Sequence, residues 1–401
     1  MNKEIHPKAI EKIKNVIREI ILRSDMAKLD SFDFKVTEFE KISVELNKSK
    51  VNFEVNGWMC KQIFVSVADE FCKKYKVKNL AELVIDPSEK IEEFINEVYL
   101  CYESLPWEYD VDFPFKELEL LVKIPKGECI NLELGRVPVF SLQQGKYREI
   151  PIFKIKSSGY FSGSHFGAFM KGVVQNLNVI VFLLRVTNVI KRKGHTYPNP
   201  SYIGFMEDYI RGYPISESII NNLNFPYMAR SINIPLGISK YLSELKVNTE
   251  MAEDNLEKLS KHSFETANLL MGHDSKEASR IKAAIDWYVQ SDVTEDDTMS
   301  FVQVCMGLES IFGDDDYEGG LTTILSDRCA YLIGKNIKER GEIKSDFRKI
   351  YQIRSKIVHG VRNHLSANEE HMLYHARYFL RKSILKELDN LDLNYDTCED
   401  D

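Results

Sequence analysis

The chain contains no CxxC pair, and its seven cysteines are scattered and odd in number. A zinc ribbon and a disulfide framework are both disfavoured on that ground. It has no HExxH motif, no GK[ST] phosphate-loop ending and no G-x-G-x-x-G spacing, so zinc-protease and dinucleotide signatures are missing too. Positive charge is in deficit: 53 Lys and Arg stand against 61 Asp and Glu, a formal net charge of −8. A general nucleic-acid coat protein should instead be basic. Long apolar runs are also scarce. The most apolar stretch, Val173 to Val186, is broken by Gln175, Asn176, Asn178 and Arg185, and reads as too short and too polar to span a bilayer. The first residues, MNKEIHPKAIEKIK, lack the apolar core of a signal peptide. Together these absences predict a soluble, cytoplasmic protein with no membrane partner, no cofactor and no resident metal. Internal repeats and low-complexity tracts are absent as well.

What is present is an ordinary globular composition, 44% hydrophobic and 28% charged, in 401 residues. At about 100–200 residues per domain, two or three domains are expected. Charge is unevenly placed. Residues 292–318 carry nine acids and no Lys or Arg, whereas 328–362 carry ten bases against three acids. The thirteen residues from Asp389 hold six acids and no base. The basic stretch would attract an anionic ligand.

Apolar spacing predicts helices over about Pro7–Leu22, Met59–Tyr75 and Pro87–Tyr102, and a long one from Phe166 to about Lys191. Between Phe32 and Val55 the segments FDFKVTEF and VNFEV alternate at period two and read as strand pieces. The segments ELELLVKIP, ECINLELGRV and EIPIFKIKS, separated by Pro125-Lys126-Gly127 and Gln144-Gly145-Lys146, read as a small antiparallel sheet. Residues 194–226, rich in Pro, Gly, Tyr and Asn, read as a connection. The expected organisation is an α+β N-terminal domain over 1–193, an irregular connecting segment over 194–250, a helical bundle over 251–388 and an acidic tail over 389–401. The fold class is therefore mainly α. Five helices are predicted in the bundle: Glu277–Gln290, Asp297–Phe312, Thr322–Ile333, Lys344–Val358 and Ala367–Leu388.

The fourth of these ends in IYQIRSKIVHG, with Arg354 and His359 at R-x4-H spacing. Before it come MGLESIFG (Met306–Gly313) and DRCAYLIG (Asp327–Gly334). In order and spacing these three segments resemble the Apea-like subgroup of the HEPN domain superfamily, over about the C-terminal third of the chain. The resemblance implies an all-α bundle that dimerises, with two Arg–His pairs facing each other in a shared cleft. It also implies a metal-independent endoribonuclease acting on an RNA substrate. The biology associated with such domains is toxin-like antiviral defence, in which residues 1–250 would sense a phage-derived trigger or a protein regulator. Some members have lost catalysis, so a non-catalytic binding or dimerisation module is the alternative.

The residue types suit that chemistry. RNA cleavage through the 2′-hydroxyl needs a base for its proton and an acid for the leaving 5′-oxygen, and histidine serves in either role. The phosphorane transition state gains negative charge, which a guanidinium fork stabilises without deprotonating. Arg354 is thus the expected stabiliser and His359 the expected base or acid. Five residues along an ideal helix rotate a side chain by about 140°, so the two converge only where the helix end loosens or Arg354 reaches across. Each also has a structural reading: a surface ion pair for Arg354, and a C-terminal helix cap for His359. Lys356 and Arg362 are expected phosphate contacts or members of a solvated basic face. Glu309, inside an apolar helix, is expected to pair with Arg328 or to orient a catalytic group.

Other clusters carry less. His371 and His375 lie one turn apart beside Glu370, without a third metal ligand. The glycine-rich Ser157–Phe169 reads as a helix-entry loop, with His165 lacking an ordered triad. The aromatic stretch Tyr197–Tyr213, with Arg211 and the preceding His195, reads mainly as a packed loop.

Overall fold

The computed structural model describes residues 5–23, 35–50, 53–77, 89–115, 127, 129–141, 146–161, 167–192, 217–225, 230–233, 236–313 and 320–393. Its described residues are mainly helical, with antiparallel strands in the first two thirds of the chain. The chain divides into two compact units that are discontinuous in sequence. One comprises Met1–Val111, Lys156–Met170 and Ile219–Ile232, and the other Asp112–Ile155, Lys171–Ser218 and Asn233–Asp401. The expected division at 193 and 250 assumed contiguous segments, which these units are not.

In the first unit, α1 (Pro7–Arg23), α2 (Val36–Asn47), α3 (Gly57–Tyr75) and α4 (Glu89–Glu103) pack together. Ile13, Ile17, Ile20 and Ile21 form the buried stripe of α1. Asn56 caps α3 by accepting the Met59 N–H at 2.9 Å. Phe39, Phe64, Phe71 and Phe94 form a chain of edge-on ring contacts 5.3–5.5 Å apart. Helix α2 corrects the strand reading of 32–55. The alternation at Phe32, Phe34 and Val36 suggested period two, but Phe39, Ile42 and Leu46 are buried at spacings of three and four. Tertiary burial of that helical face decides the outcome. Residues 53–55 form no strand, and 32–34 and 51–52 lie outside the described residues.

Strands β1 (Trp107–Pro114), β2 (Ile130–Ser141), β3 (Lys146–Gly159), β5 (Glu217–Asn222) and β6 (Arg230–Asn233) form a sheet in the order β2-β3-β1-β5-β6. The β2–β3 pair is antiparallel from Ile130↔Ile155 to Ser141↔Lys146, with a register shift between Arg136 and Val139. Thus ECINLELGRV and EIPIFKIKS do pair as expected, while ELELLVKIP lies outside the described residues. A second, two-stranded sheet joins β4 (Ile190–Arg192) to β7 (Leu245–Val247). The segment 194–250 is less irregular than its composition suggested. It holds β5, β6, α6 (Leu236–Glu244) and β7, and Tyr241, Leu242 and Leu245 are buried.

Helix α5 (Ala168–Val186) is 19 residues long and, by length and composition alone, apolar enough to cross a membrane. That differs from the expectation drawn from 173–186, because the helix begins earlier and adds apolar residues. Its polar interruptions are used internally. Asn178 donates to Asp286 at 2.7 Å, and Arg185 pairs with Asp292.

The second unit carries α7 (Glu253–Gly272), α8 (Lys276–Val293), α9 (Asp297–Phe312), α10 (Leu321–Ile333), α11 (Ile337–Val358) and α12 (Glu370–Asn390). The five predicted bundle helices correspond to α8 to α12. Ser275, Asp296 and Asn336 cap α8, α9 and α11 by accepting the N–H of Ala278, Met299 and Glu339. Helix α11 starts seven residues before the predicted Lys344. Gly341 disfavours helix locally, but the Asn336 cap and the burial of Ile343 and Phe347 outweigh it. At Gly307 a Cβ would lie 2.6 Å from Leu380 and 3.2 Å from Trp287, so this glycine permits the close approach of α8, α9 and α12. Among the described residues no cysteine forms a disulfide bond.

Asn268 of α7 anchors the start of β2. Its Oδ1 accepts the N–H of Cys129 and Ile130 at 3.0 and 2.8 Å, and its Nδ2 donates to the Phe264 carbonyl at 3.1 Å. Asn268→Ala should cost about 1–3 kcal/mol through the two orphaned backbone donors. A thermal melt should show a midpoint lower by several degrees. An unchanged midpoint would mean that water replaces the side chain at no cost.

Candidate functional site

The expected Arg354 site lies between α9 and α11. Arg354 Nη2 stands 3.0 Å from Glu309 Oε1 and 3.3 Å from Oε2. Both side chains are 27% exposed, so the pair is neither fully buried nor a loose surface contact. Beneath it, one turn earlier on each helix, lie buried Cys305 and Tyr351. The Tyr351 hydroxyl donates to the Cys305 carbonyl at 3.4 Å, and its ring stacks on Phe347 at 4.8 Å. Burial pushes the Tyr351 hydroxyl and the Cys305 thiol well up, so neither supplies an anion near neutral pH. The guanidinium therefore rests on an uncharged floor with Glu309 as its counter-ion. Its Nε is buried and has no acceptor among the described residues.

Glu309 thus pairs with Arg354 rather than with Arg328. Arg328 instead donates to the Phe312 carbonyl at 2.7 Å. That places a cation on an orphan carbonyl at the C-terminal end of α9, where the helix dipole favours it.

His359 is the C-cap residue of α11 and is exposed. Its N–H still donates to the Ser355 carbonyl at 3.0 Å, so helical bonding reaches His359 before Gly360 turns the chain at φ +70°. The α11 axis therefore carries Arg354 and His359 about 140° apart. Unwinding does not bring them together. The His359 imidazole makes no hydrogen bond or ion pair among the described residues. Arg354 thus fills the ion-pair role, whereas His359 occupies the C-cap position through its backbone alone.

Lys356 is exposed in the last turn of α11, and its side chain likewise has no partner among the described residues. Arg362 is engaged: its Nη1 donates to both oxygens of Glu369 at 2.7 and 2.6 Å. The Ser366 hydroxyl, acting against burial and joined by the Ser366 N–H and Arg362, holds the Glu369 carboxyl below the usual range. Arg362 thus closes the α11–α12 connection rather than standing free for phosphate. Exposed apolar side chains flank the Glu309–Arg354 pair in sequence. Met306 is one turn before Glu309, Val358 one turn after Arg354, and Val361 lies just beyond Gly360.

His371 and His375 stand ring to ring at 5.8 Å, and His375 Nδ1 is 3.5 Å from Asp346 Oδ2 of α11. No group of three or more metal-binding side chains occurs among the described residues. The Asp346 contact escaped sequence reasoning, because it depends on how α11 and α12 are set against each other. Residues 162–166, including His165, and 193–216, including His195 and Arg211, lie outside the described residues. No protein-family model, curated protein or solved structure matches the chain.

Proposed function

We propose that the chain is a metal-independent endoribonuclease of HEPN type, a cytoplasmic effector in antiviral defence whose N-terminal region senses a trigger or restrains cleavage. The observation that carries this reading is the guanidinium of Arg354, fixed by Glu309 on an uncharged floor and partly open to solvent. It sits on the same helix end as an uncommitted, exposed histidine. In the proposed reaction the 2′-oxygen attacks phosphorus and loses its proton to one histidine. The 5′-oxygen leaves with a proton from another, giving a 2′,3′-cyclic phosphate and a 5′-hydroxyl. Arg354 stabilises the charge that develops on the non-bridging oxygens. One chain offers one such histidine, pointed away from its own Arg354. The reading therefore requires a second copy, and exposed Met306, Val358 and Val361 offer it apolar surface.

The test is RNA cleavage in EDTA by the wild type and His359→Ala, on total RNA and on tRNA, after both show the same melting temperature and elution volume. Loss of cutting by at least about 10²-fold in the variant alone supports the reading. Equal cutting by both places the activity elsewhere. The second reading, a non-catalytic dimerisation module, is favoured by one observation: Arg354 already fills an ordinary structural role in its ion pair with Glu309. It gains if both proteins are inert with and without phage challenge and are equally tolerated by cells.

A further inference from the structure

The exposed face of α12 carries an unusual set of side chains. His371, Tyr374, His375, Tyr378 and Lys382 share one face of the helix: Tyr374 and His375 are adjacent, and the other steps along the stripe are three or four residues. Tyr374 is 69% and Tyr378 47% exposed, although large rings are normally drawn inward. The Lys382 ammonium stands 5.9 Å from the centre of the Tyr378 ring. From His371 to Lys386 the helix contains no Asp or Glu. Among the described residues, Asp346 of α11 meets the stripe at His375, and Glu370 lies one turn before Tyr374.

We infer that this face of α12 is a docking track for single-stranded RNA, with Tyr374 and Tyr378 as base-stacking platforms and Lys382 as a phosphate contact. Rings alone would suit a protein partner equally well. Rings followed by a cation, on a stretch of helix that carries no acid of its own, complement a polyanion with flat bases. One helical turn separates the two tyrosines, about 6 Å along the axis, which leaves room for a base over each ring. Stacking needs an unpaired base, so a duplex cannot use the track in the same way. The track lies on the helix that follows the Arg354–His359 segment, and its choice of RNA rests on the ribonuclease reading.

The test uses full-length protein carrying His359→Ala and a fluorescein-labelled 20-nucleotide single-stranded RNA, read by anisotropy. In that background Tyr374→Ala with Tyr378→Ala should weaken binding by about tenfold or more. Tyr374→Phe with Tyr378→Phe should retain it, because the stacking faces persist. Lys382→Ala should flatten the dependence of log Kd on log salt by about 0.7. A hairpin duplex of the same length should bind more weakly than the single strand and should not respond to the alanine pair. Unchanged Kd in the alanine pair, or equal loss in the phenylalanine pair, overturns the inference. So does an alanine pair that keeps RNA affinity but loses self-association, which would assign the face to a second copy. If the wild type cuts no RNA while the alanine pair still weakens binding, the track stands and the ribonuclease reading fails. If the wild type cuts and the alanine pair binds normally, the reverse holds.

Discussion

Asp292→Ala should lower the unfolding free energy of the second unit by about 3–5 kcal/mol, among the largest losses expected from one substitution in this chain. Asp292 is 9% exposed at the end of α8 and faces two arginines from distant segments. Arg185 of α5 pairs with its Oδ2 and also donates to the Tyr241 hydroxyl at 2.8 Å. Arg377 of α12 approaches Oδ1 at 3.8 Å and donates from Nη2 to the Ser291 carbonyl and the Ser300 hydroxyl, each at 2.7 Å. The cluster thus ties α5, α6, α8, α9 and α12 at one point. Removing the Asp292 carboxylate leaves two partly buried guanidiniums with only neutral acceptors among the described residues. At about 2–4 °C per kcal/mol for a unit of this size, the melting midpoint should fall by roughly 10 °C. Combining Asp292→Leu with Arg185→Met should cost less than the sum of the single changes, since charge and counter-charge leave together. Strict additivity of the two would mean that they do not act as a pair.

Much of this architecture is legible in the sequence where apolar periodicity is long and capped. Helix α9 runs over Asp297–Phe312 as its pattern and Gly313 suggest, and α10 lies within one residue of its predicted start. Legibility fails where a local pattern is short or its neighbours decide. The alternation around Phe32–Val36 masks the helical set Phe39, Ile42 and Leu46, whose burial depends on Phe64 across the first unit. Strands β5 and β6 are short and sit in a composition typical of loops, so their pairing is a tertiary fact. The candidate site divides in the same way. Glu309 stands out by residue type, because a carboxylate inside GLESIF needs a partner, whereas Arg354 and His359 stand out only through the resemblance of the three segments. Which arginine answers it is set by the relative rise of α9, α10 and α11, a quantity no local pattern carries.

That choice of partner decides the largest effect expected on activity. If the chain is the ribonuclease proposed, Arg354→Lys should reduce RNA cleavage by about 10²–10³-fold with little change in the melting midpoint. Lysine keeps a positive charge near Glu309, but it cannot offer two planar donors to the phosphorane oxygens. Glu309→Gln should act more mildly, lowering kcat by about tenfold with KM nearly constant, because it loosens the guanidinium without removing it. Arg354→Ala combines both losses and leaves a partly buried carboxylate without its counter-ion, costing a further 1–3 kcal/mol or so of stability. A purely structural pair behaves differently. Glu309→Leu with Arg354→Met should recover most of that stability, since two apolar side chains of similar reach suit the Cys305–Tyr351 floor. If the proposal holds, this double variant melts close to wild type and cuts no RNA. Wild-type cleavage by the double variant, or by Arg354→Lys, would reduce Glu309–Arg354 to an inter-helix brace and pass the chemistry to another part of the chain.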